Sequence, residues 1–154
     1  MTDVWFYHLE RRTLESVLPE LLERALARGW RAVVQALSEM RLAQLDDLLW
    51  SYDPESFLPH GTAADGAPET QPIYLTIDAD NPNAADVRFF VEGALVLPVL
   101  ADPAAAPRER AIVMLDGNDE AAVLAARVQW TELKQAGHAV SYYRQNDSGK
   151  WERA

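Results

Sequence analysis

The chain has 154 residues, a formal net charge of −10 and no cysteine. Its hydrophobic fraction of 49% and charged fraction of 25% are typical of a globular protein, which excludes a disordered chain and a disulfide-stabilised scaffold. The lack of thiols excludes cysteine nucleophiles and thiolate metal sites. We expect no signal peptide and no membrane-spanning segment, and therefore a cytoplasmic protein. The acidic balance argues against a broad basic surface that would bind nucleic acid directly.

The first predicted elements are a strand, a helix and a second strand. The aromatic and β-branched run at 4–9 predicts a buried strand. A helix follows, capped by Thr13 or Ser16 and ended by Gly29. The run at 30–37 predicts the second strand, and the short joints of this βαβ unit predict that its two strands are parallel.

A second helix is predicted over 38–52, with Ser38 as its N-cap. Leucines form its apolar face, and Trp50 lies well off that face. Prolines on both sides of the stretch 53–60 predict an irregular loop. Residues 61–72 contain glycine, proline, alanine and small polar residues, and predict a flexible connection.

The remainder of the chain continues the alternation of strands and helices. A third helix is predicted over 119–136, and residues 94–109 give no assignable pattern. The further predicted strands are 73–77, 87–91, 110–115 and 139–143. Five or six strands and three helices predict a single three-layer α/β domain over residues 1–154, Rossmann-like with a mostly parallel sheet.

A nucleotide cofactor is the obvious expectation for this fold class, but its glycine-rich loop is missing. The joint between the first strand and the first helix, residues 10–13, contains no glycine and begins with Glu10, which would repel a pyrophosphate. The histidines, His8, His60 and His138, lack the spacing of a metal site or a catalytic pair. We therefore expect no cofactor, no metal and no enzymatic activity. A Rossmann-like enzyme or nucleotide-binding domain with a dispersed site is the alternative.

The third predicted helix carries two neighbouring stripes. Small and apolar residues on one face predict close packing on the sheet: Ala122, Ala125, Ala126, Gln129, Leu133 and Ala136. Beside them run Val123, Arg127, Trp130 and Lys134, which combine apolar, aromatic and cationic groups on one ridge. One interpretation is a receptor for an apolar group with a negative charge, such as a peptide C-terminus. The other is a solvated flank with Trp130 half tucked into the core.

A second candidate surface combines Trp50 with the proline-bounded loop that presents Phe57, Leu58 and Pro59. Aromatic side chains that lie off the core face of a helix or on an irregular loop are typical anchors of a protein interface. In the other interpretation, the loop folds back and these side chains become part of the core.

Several segments resemble a known family, and their order and spacing hold over nearly the whole chain. These segments are FYHL at 6–9, LDDLLW at 45–50, PESFLPHG at 54–61, NPN at 81–83, DGNDE at 116–120, ARVQW at 126–130 and KQAGH at 134–138. The set resembles the chi subunit of the bacterial DNA polymerase III holoenzyme, a part of the clamp-loader complex. The resemblance implies a Rossmann-like adaptor without nucleotide chemistry.

The resemblance also implies two partners. Trp50 and Phe57 would belong to the surface that binds the psi subunit of the clamp loader, a surface that in some relatives receives a helicase. Arg127 would bind the terminal carboxylate of the acidic tail of single-stranded DNA-binding protein, with Trp130 and Lys134 nearby. A partner of a DNA-repair helicase acting outside the replisome is a further alternative.

The chain departs from the family pattern at the tail-binding helix. The best-known members carry lysines where this chain has Val123 and Thr131. Each missing cation is expected to weaken attraction to the acidic tail by up to about 1 kcal/mol at an exposed position.

Overall fold

Eight strands form one sheet in the computed structural model, which describes residues 2–53, 55 and 58–154. In chain order the strands are β1 (Asp3–Leu9), β2 (Ala32–Gln35), β3 (His60–Thr62), β4 (Ile73–Thr76), β5 (Val87–Val91), β6 (Arg110–Asp116), β7 (Val140–Gln145) and β8 (Trp151–Arg153). Their spatial order is β3-β4-β2-β5-β6-β1-β7-β8. Every pairing is parallel except that of β7 with β8, which is antiparallel. The predicted mostly parallel α/β sheet is confirmed.

Helices cover both faces of the sheet. They are α1 (Leu14–Ala27), α2 (Glu39–Ser51), α3 (Leu97–Leu100) and α4 (Glu120–Gln135). Successive strand residues point to opposite faces, so Ile112 and Met114 of β6 pack with α1 and α2, whereas Val113 and Leu115 pack with α3 and α4. The result is the predicted Rossmann-like three-layer arrangement. Within the described residues, none of these helices is long and apolar enough to cross a membrane.

Side-chain caps fix where the long helices begin. The Thr13 hydroxyl accepts a hydrogen bond from the Ser16 backbone N–H, which identifies Thr13 as the cap of α1. Ser38 caps α2 in the same way, and the Asp119 carboxylate accepts backbone N–H groups at the start of α4. Gly29 follows α1 with φ of 80°, a left-handed conformation that favours glycine.

The structure corrects several details of the predicted organisation. β1 and β2 are parallel, as predicted, but the two strands of this βαβ unit are separated in the sheet by β6 and β5. The predicted flexible connection at 61–72 instead contains the end of β3 and two short 3-10 turns, Ala63–Asp65 and Pro68–Thr70. The strand predicted at 30–37 is only four residues long, since its register with β4 and β5 begins at Ala32 and ends at Gln35.

Candidate peptide-binding site

The inner face of α4 rests on the sheet, but less completely than predicted. Ala126, Gln129 and Leu133 are buried as expected, whereas Ala125 and Ala136 are exposed. Small side chains at the start of α4 leave a pocket of about 320 Å³ between the helix and the ends of β5 and β6. Close packing is therefore confined to the middle and the end of the helix.

Trp130 is held at the edge of the core by aromatic neighbours from two strands. Its ring centroid lies 5.6 Å from that of Phe6 in an edge-to-face arrangement and 5.8 Å from that of Tyr142. The Lys134 ammonium lies 5.4 Å from the Trp130 ring centroid, within range of a cation–π contact. Trp130 is thus half-buried, as one interpretation predicts, and it also presents a rigid aromatic wall with a cation on it.

Val123 and Arg127 lie earlier on α4, about two turns and one turn before Trp130, and share an open pocket of about 430 Å³. The pocket is lined by His8, Glu10, Gly117, Glu120, Val123, Leu124, Arg127 and Arg144. Val123 is half-buried against the core and the neighbouring Leu124 is 60% exposed, so the pocket has an apolar side. Arg127 is exposed beside it. The pocket therefore brings together Val123 and Arg127 of the predicted ridge, whereas Trp130 and Lys134 are not among the residues that line it.

Arg144 is a residue of this pocket that the sequence interpretation missed. It lies near the end of β7, directly beside His8 of the neighbouring β1 in the parallel register. Its only signal in the sequence is its place at the carboxyl end of a predicted strand. The pocket therefore has cations on two sides, Arg127 from a helix and Arg144 from a strand.

A polar network joins the back of the pocket to the core. Glu10 Oε1 contacts the Arg144 guanidinium and lies 2.7 Å from His8 Nε2. The hydrogen bond from Arg144 holds the pKa of Glu10 below its usual range. On the other side of the buried His8 ring, Nδ1 lies 2.5 Å from the Tyr142 hydroxyl. Burial raises the pKa of Tyr142, an effect that the nearby Arg144 and Arg127 oppose.

Among the described residues of the second candidate surface, Trp50 is a strongly exposed aromatic ring. Trp50 is 57% exposed, and its ring centroid lies 4.7 Å from that of His60. His60 is buried, and its Nδ1 donates to the Leu58 carbonyl at 2.7 Å, while its Nε2 lies 2.9 Å from Asp46 Oδ1. The position of Trp50 is therefore set by a rigid partner at the start of β3.

The loop residues predicted to accompany Trp50 are placed differently from one another. Phe57 lies outside the described residues, and Pro59 is half-buried. Leu58 is 2% exposed and packs in the same core cluster as α1 and α2. The prediction that Leu58 faces a partner is therefore wrong for this structure, because its side chain is used to cover the core beneath the loop.

The fold and this site define a class of protein. It is a Rossmann-like α/β protein whose candidate site is an arginine and tryptophan ridge on a surface helix rather than a glycine-rich nucleotide loop. The described part of the chain holds no group of three or more histidine and acidic side chains that could bind a metal ion.

Comparison with known proteins identifies the family. The sequence profile of the DNA polymerase III chi subunit, HolC, matches residues 1–141, and the chain belongs to this family. It is similar to the probable DNA polymerase III subunit chi of Rickettsia prowazekii (strain Madrid E), with 28% identity over 94 residues. This match covers 61% of the chain and 57% of that relative, so the chain spans little more than half the length of the curated relative. The resemblance seen in the sequence motifs is confirmed.

Proposed function

We propose that this protein is a non-catalytic accessory subunit of bacterial DNA replication. It links the clamp loader, through the psi subunit, to the C-terminal tail of single-stranded DNA-binding protein, and it acts in the cytoplasm as one domain over residues 1–154. Membership of the chi family supports the replication role. The observation that carries the tail-binding role is the pocket in which Val123 and Leu124 lie beside Arg127.

The chemistry of this pocket fits a peptide that ends in an apolar residue. The last side chain contacts Val123 and Leu124, and the terminal carboxylate accepts charge-assisted hydrogen bonds from Arg127. The Lys134 ammonium on the Trp130 ring attracts acidic residues further up the tail. Because these cations are near the surface, binding is weak and salt-sensitive, which suits repeated release as the replicase moves.

Thr131 does not replace the lysine that relatives carry at its position. Its hydroxyl donates to the Arg127 carbonyl at 3.0 Å, so it turns back onto its own helix rather than toward a ligand. Val123, the other departure, supplies apolar surface in place of charge. The pocket therefore depends more on the terminal residue and less on the acidic stretch of the tail.

Fluorescence anisotropy with the labelled last ten or so residues of the cognate single-stranded DNA-binding protein tests this proposal. We expect saturable binding that weakens with salt, and at least about tenfold weaker binding by Arg127→Ala, since a hydrogen bond between charged groups contributes about 1.5–3 kcal/mol. Arg108→Ala is the matched control, because it removes the same charge from an exposed loop just before β6, at the end of the strands opposite to the pocket. Equal affinity of the two variants would disprove the assignment of Arg127.

The proposed contact for psi is the surface that contains Trp50 and Pro59, together with Phe57, which lies outside the described residues. A large exposed ring fixed by a buried histidine supports this role, because rigid aromatic side chains are typical interface anchors. We expect Trp50→Ala to lose copurification with the reconstituted clamp loader while keeping its affinity for the tail peptide. The identity of the retained protein, psi or a repair helicase, separates the replicase role from the repair role. Retention of the clamp loader by the variant would contradict the proposal.

A further inference from the structure

The geometry points to Arg144 as a second carboxylate-binding residue of the pocket. Glu10 is bound to Arg144 until a carboxylate of the peptide displaces it. This inference rests on the proposed function, because the incoming carboxylates are those of the bound tail. Its basis is the contact between Arg144 and Glu10 in the pocket that also contains Arg127.

The placement of Arg144 makes it accessible to a ligand. Its side chain is 53% exposed and Glu10 is 38% exposed, so neither group is sealed in the core. The pairing of β7 with β1 fixes the backbone of Arg144 beside His8, at the same end of the sheet as the start of α4. A peptide that reaches Arg127 from the open side therefore also meets the pair formed by Glu10 and Arg144.

The charges of the pocket explain why Glu10 competes with a ligand. Arg127 and Arg144 are balanced by Glu10 and Glu120, so the formal charge of the lining is zero when His8 is neutral. An incoming carboxylate gains from Arg144 only if it replaces Glu10, since two carboxylates on one guanidinium repel each other.

The displaced Glu10 keeps a hydrogen-bonding partner. Its Oε1 atom lies 2.7 Å from His8 Nε2 as well as in contact with Arg144. His8 is itself held by the Tyr142 hydroxyl on its other nitrogen, so it stays in place while Glu10 changes partner. Glu10 thus lowers the affinity for acidic peptides without blocking the site, because its replacement by a peptide carboxylate leaves no buried polar group without a partner.

The test uses the anisotropy assay at fixed low salt with Glu10→Gln, Arg144→Gln and the double variant. An exposed charge pair contributes little to affinity, so we expect Glu10→Gln to bind the tail peptide only about three- to fivefold more tightly than wild type. We expect Arg144→Gln to bind more weakly, and Glu10→Gln to give little gain in the Arg144→Gln background. Glu69→Gln removes the same charge near the far edge of the sheet and controls for net charge.

The outcomes separate this inference from the proposed function. If wild type binds and Arg127→Ala does not, but Glu10→Gln binds like Glu69→Gln, the exchange is wrong and the tail site stands. An equal gain from Glu10→Gln with or without Arg144 also overturns the role of Arg144, because the effect is then one of overall charge. If neither wild type nor Glu10→Gln binds the peptide, the proposed function fails and this inference fails with it. Circular dichroism of each variant establishes that the fold is intact.

Discussion

Gly117 follows β6 where the chain passes the end of β1, and the space beside it is already filled. A methyl group added at this position would lie 2.2 Å from His8 Nε2 and 2.3 Å from His8 Cδ2. The His8 ring is 7% exposed and is bound to the Tyr142 hydroxyl, so it cannot move aside without losing that contact. Overpacking costs about 1–3 kcal/mol, and weakening the hydrogen bond between His8 and the Tyr142 hydroxyl adds to this cost. We expect Gly117→Ala to lower the free energy of unfolding by about 2–3 kcal/mol.

Gly29→Ala is the matched control for this prediction. Gly29 has φ of +80° and no atom within 4 Å of the added methyl group, so its substitution tests backbone conformation alone. Left-handed backbone costs about 1 kcal/mol for an alanine. Urea denaturation followed by far-ultraviolet circular dichroism compares the two variants. If Gly117→Ala costs no more than Gly29→Ala, the steric argument is refuted and His8 is not held as described.

Three further substitutions test other parts of the structure. Trp130→Ala removes a half-buried ring that packs against rings of β1 and β7. We expect it to lower the free energy of unfolding by about 2 kcal/mol, and we expect Trp130→Phe to keep at least half of the stabilisation that Trp130→Ala loses. Arg88 is fully buried, and it donates to Gln35 Oε1 and to two backbone carbonyls; burial lowers its pKa to about 10. Arg88→Met leaves these acceptors unpaired but removes a desolvated charge. We therefore expect urea denaturation to show a free energy of unfolding lower by about 1–3 kcal/mol, and an unchanged value would contradict a stabilising role of these hydrogen bonds. The hydrogen bond from Arg41 lowers the pKa of Glu15 from its ordinary 4.5, so this stabilisation is present above that value and is lost as the pH falls through the lowered one. Arg41→Gln is expected to flatten the fall in stability as the pH is lowered below about 5, and an unchanged pH profile would count against the pair.

Local signals in the sequence were sufficient to predict the long helices. Thr13, Ser38 and Asp119 are side-chain caps, and each stands directly before a helix with an apolar stripe, so start and face are specified together. Two strands, β3 and β8, were not predicted. Each has three residues and lacks an alternating pattern, and each forms because the sheet offers an edge to pair with.

Tertiary contacts explain why β8 escapes a sequence-based prediction. Trp151 of β8 stacks on Tyr7 of β1 with ring centroids 4.6 Å apart, although 144 positions separate them. The strand is thus held by a partner that no local window contains. Leu58 was mispredicted for a related reason. An apolar residue in an irregular loop is predicted to be exposed unless the core beneath the loop is known, and Leu58 is buried there.

The candidate site was predictable only where it lies on one element. The ridge of Arg127, Trp130 and Lys134 follows from helical spacing on α4, so the sequence was enough to define it. Arg144 enters the site because β7 pairs with β1, and sheet order is not encoded in any single segment. The same pairing brings Glu10 against Arg144 from 134 positions away.

The joint between β1 and α1 is where a Rossmann-type protein holds the phosphates of a nucleotide, and a pocket of about 270 Å³ lies there in this chain. Arginines around this pocket are already paired with carboxylates: Arg11 with Asp147, Arg12 with Glu20, and Arg41 with Glu15 and Glu92. A phosphate would have to break such pairs and approach Glu10 without a glycine to let the backbone come near. We therefore expect millimolar ATP or NAD, with or without magnesium, to leave the thermal unfolding midpoint unchanged, whereas the tail peptide raises it. A saturable rise with a nucleotide would contradict this reasoning and restore the nucleotide-binding alternative.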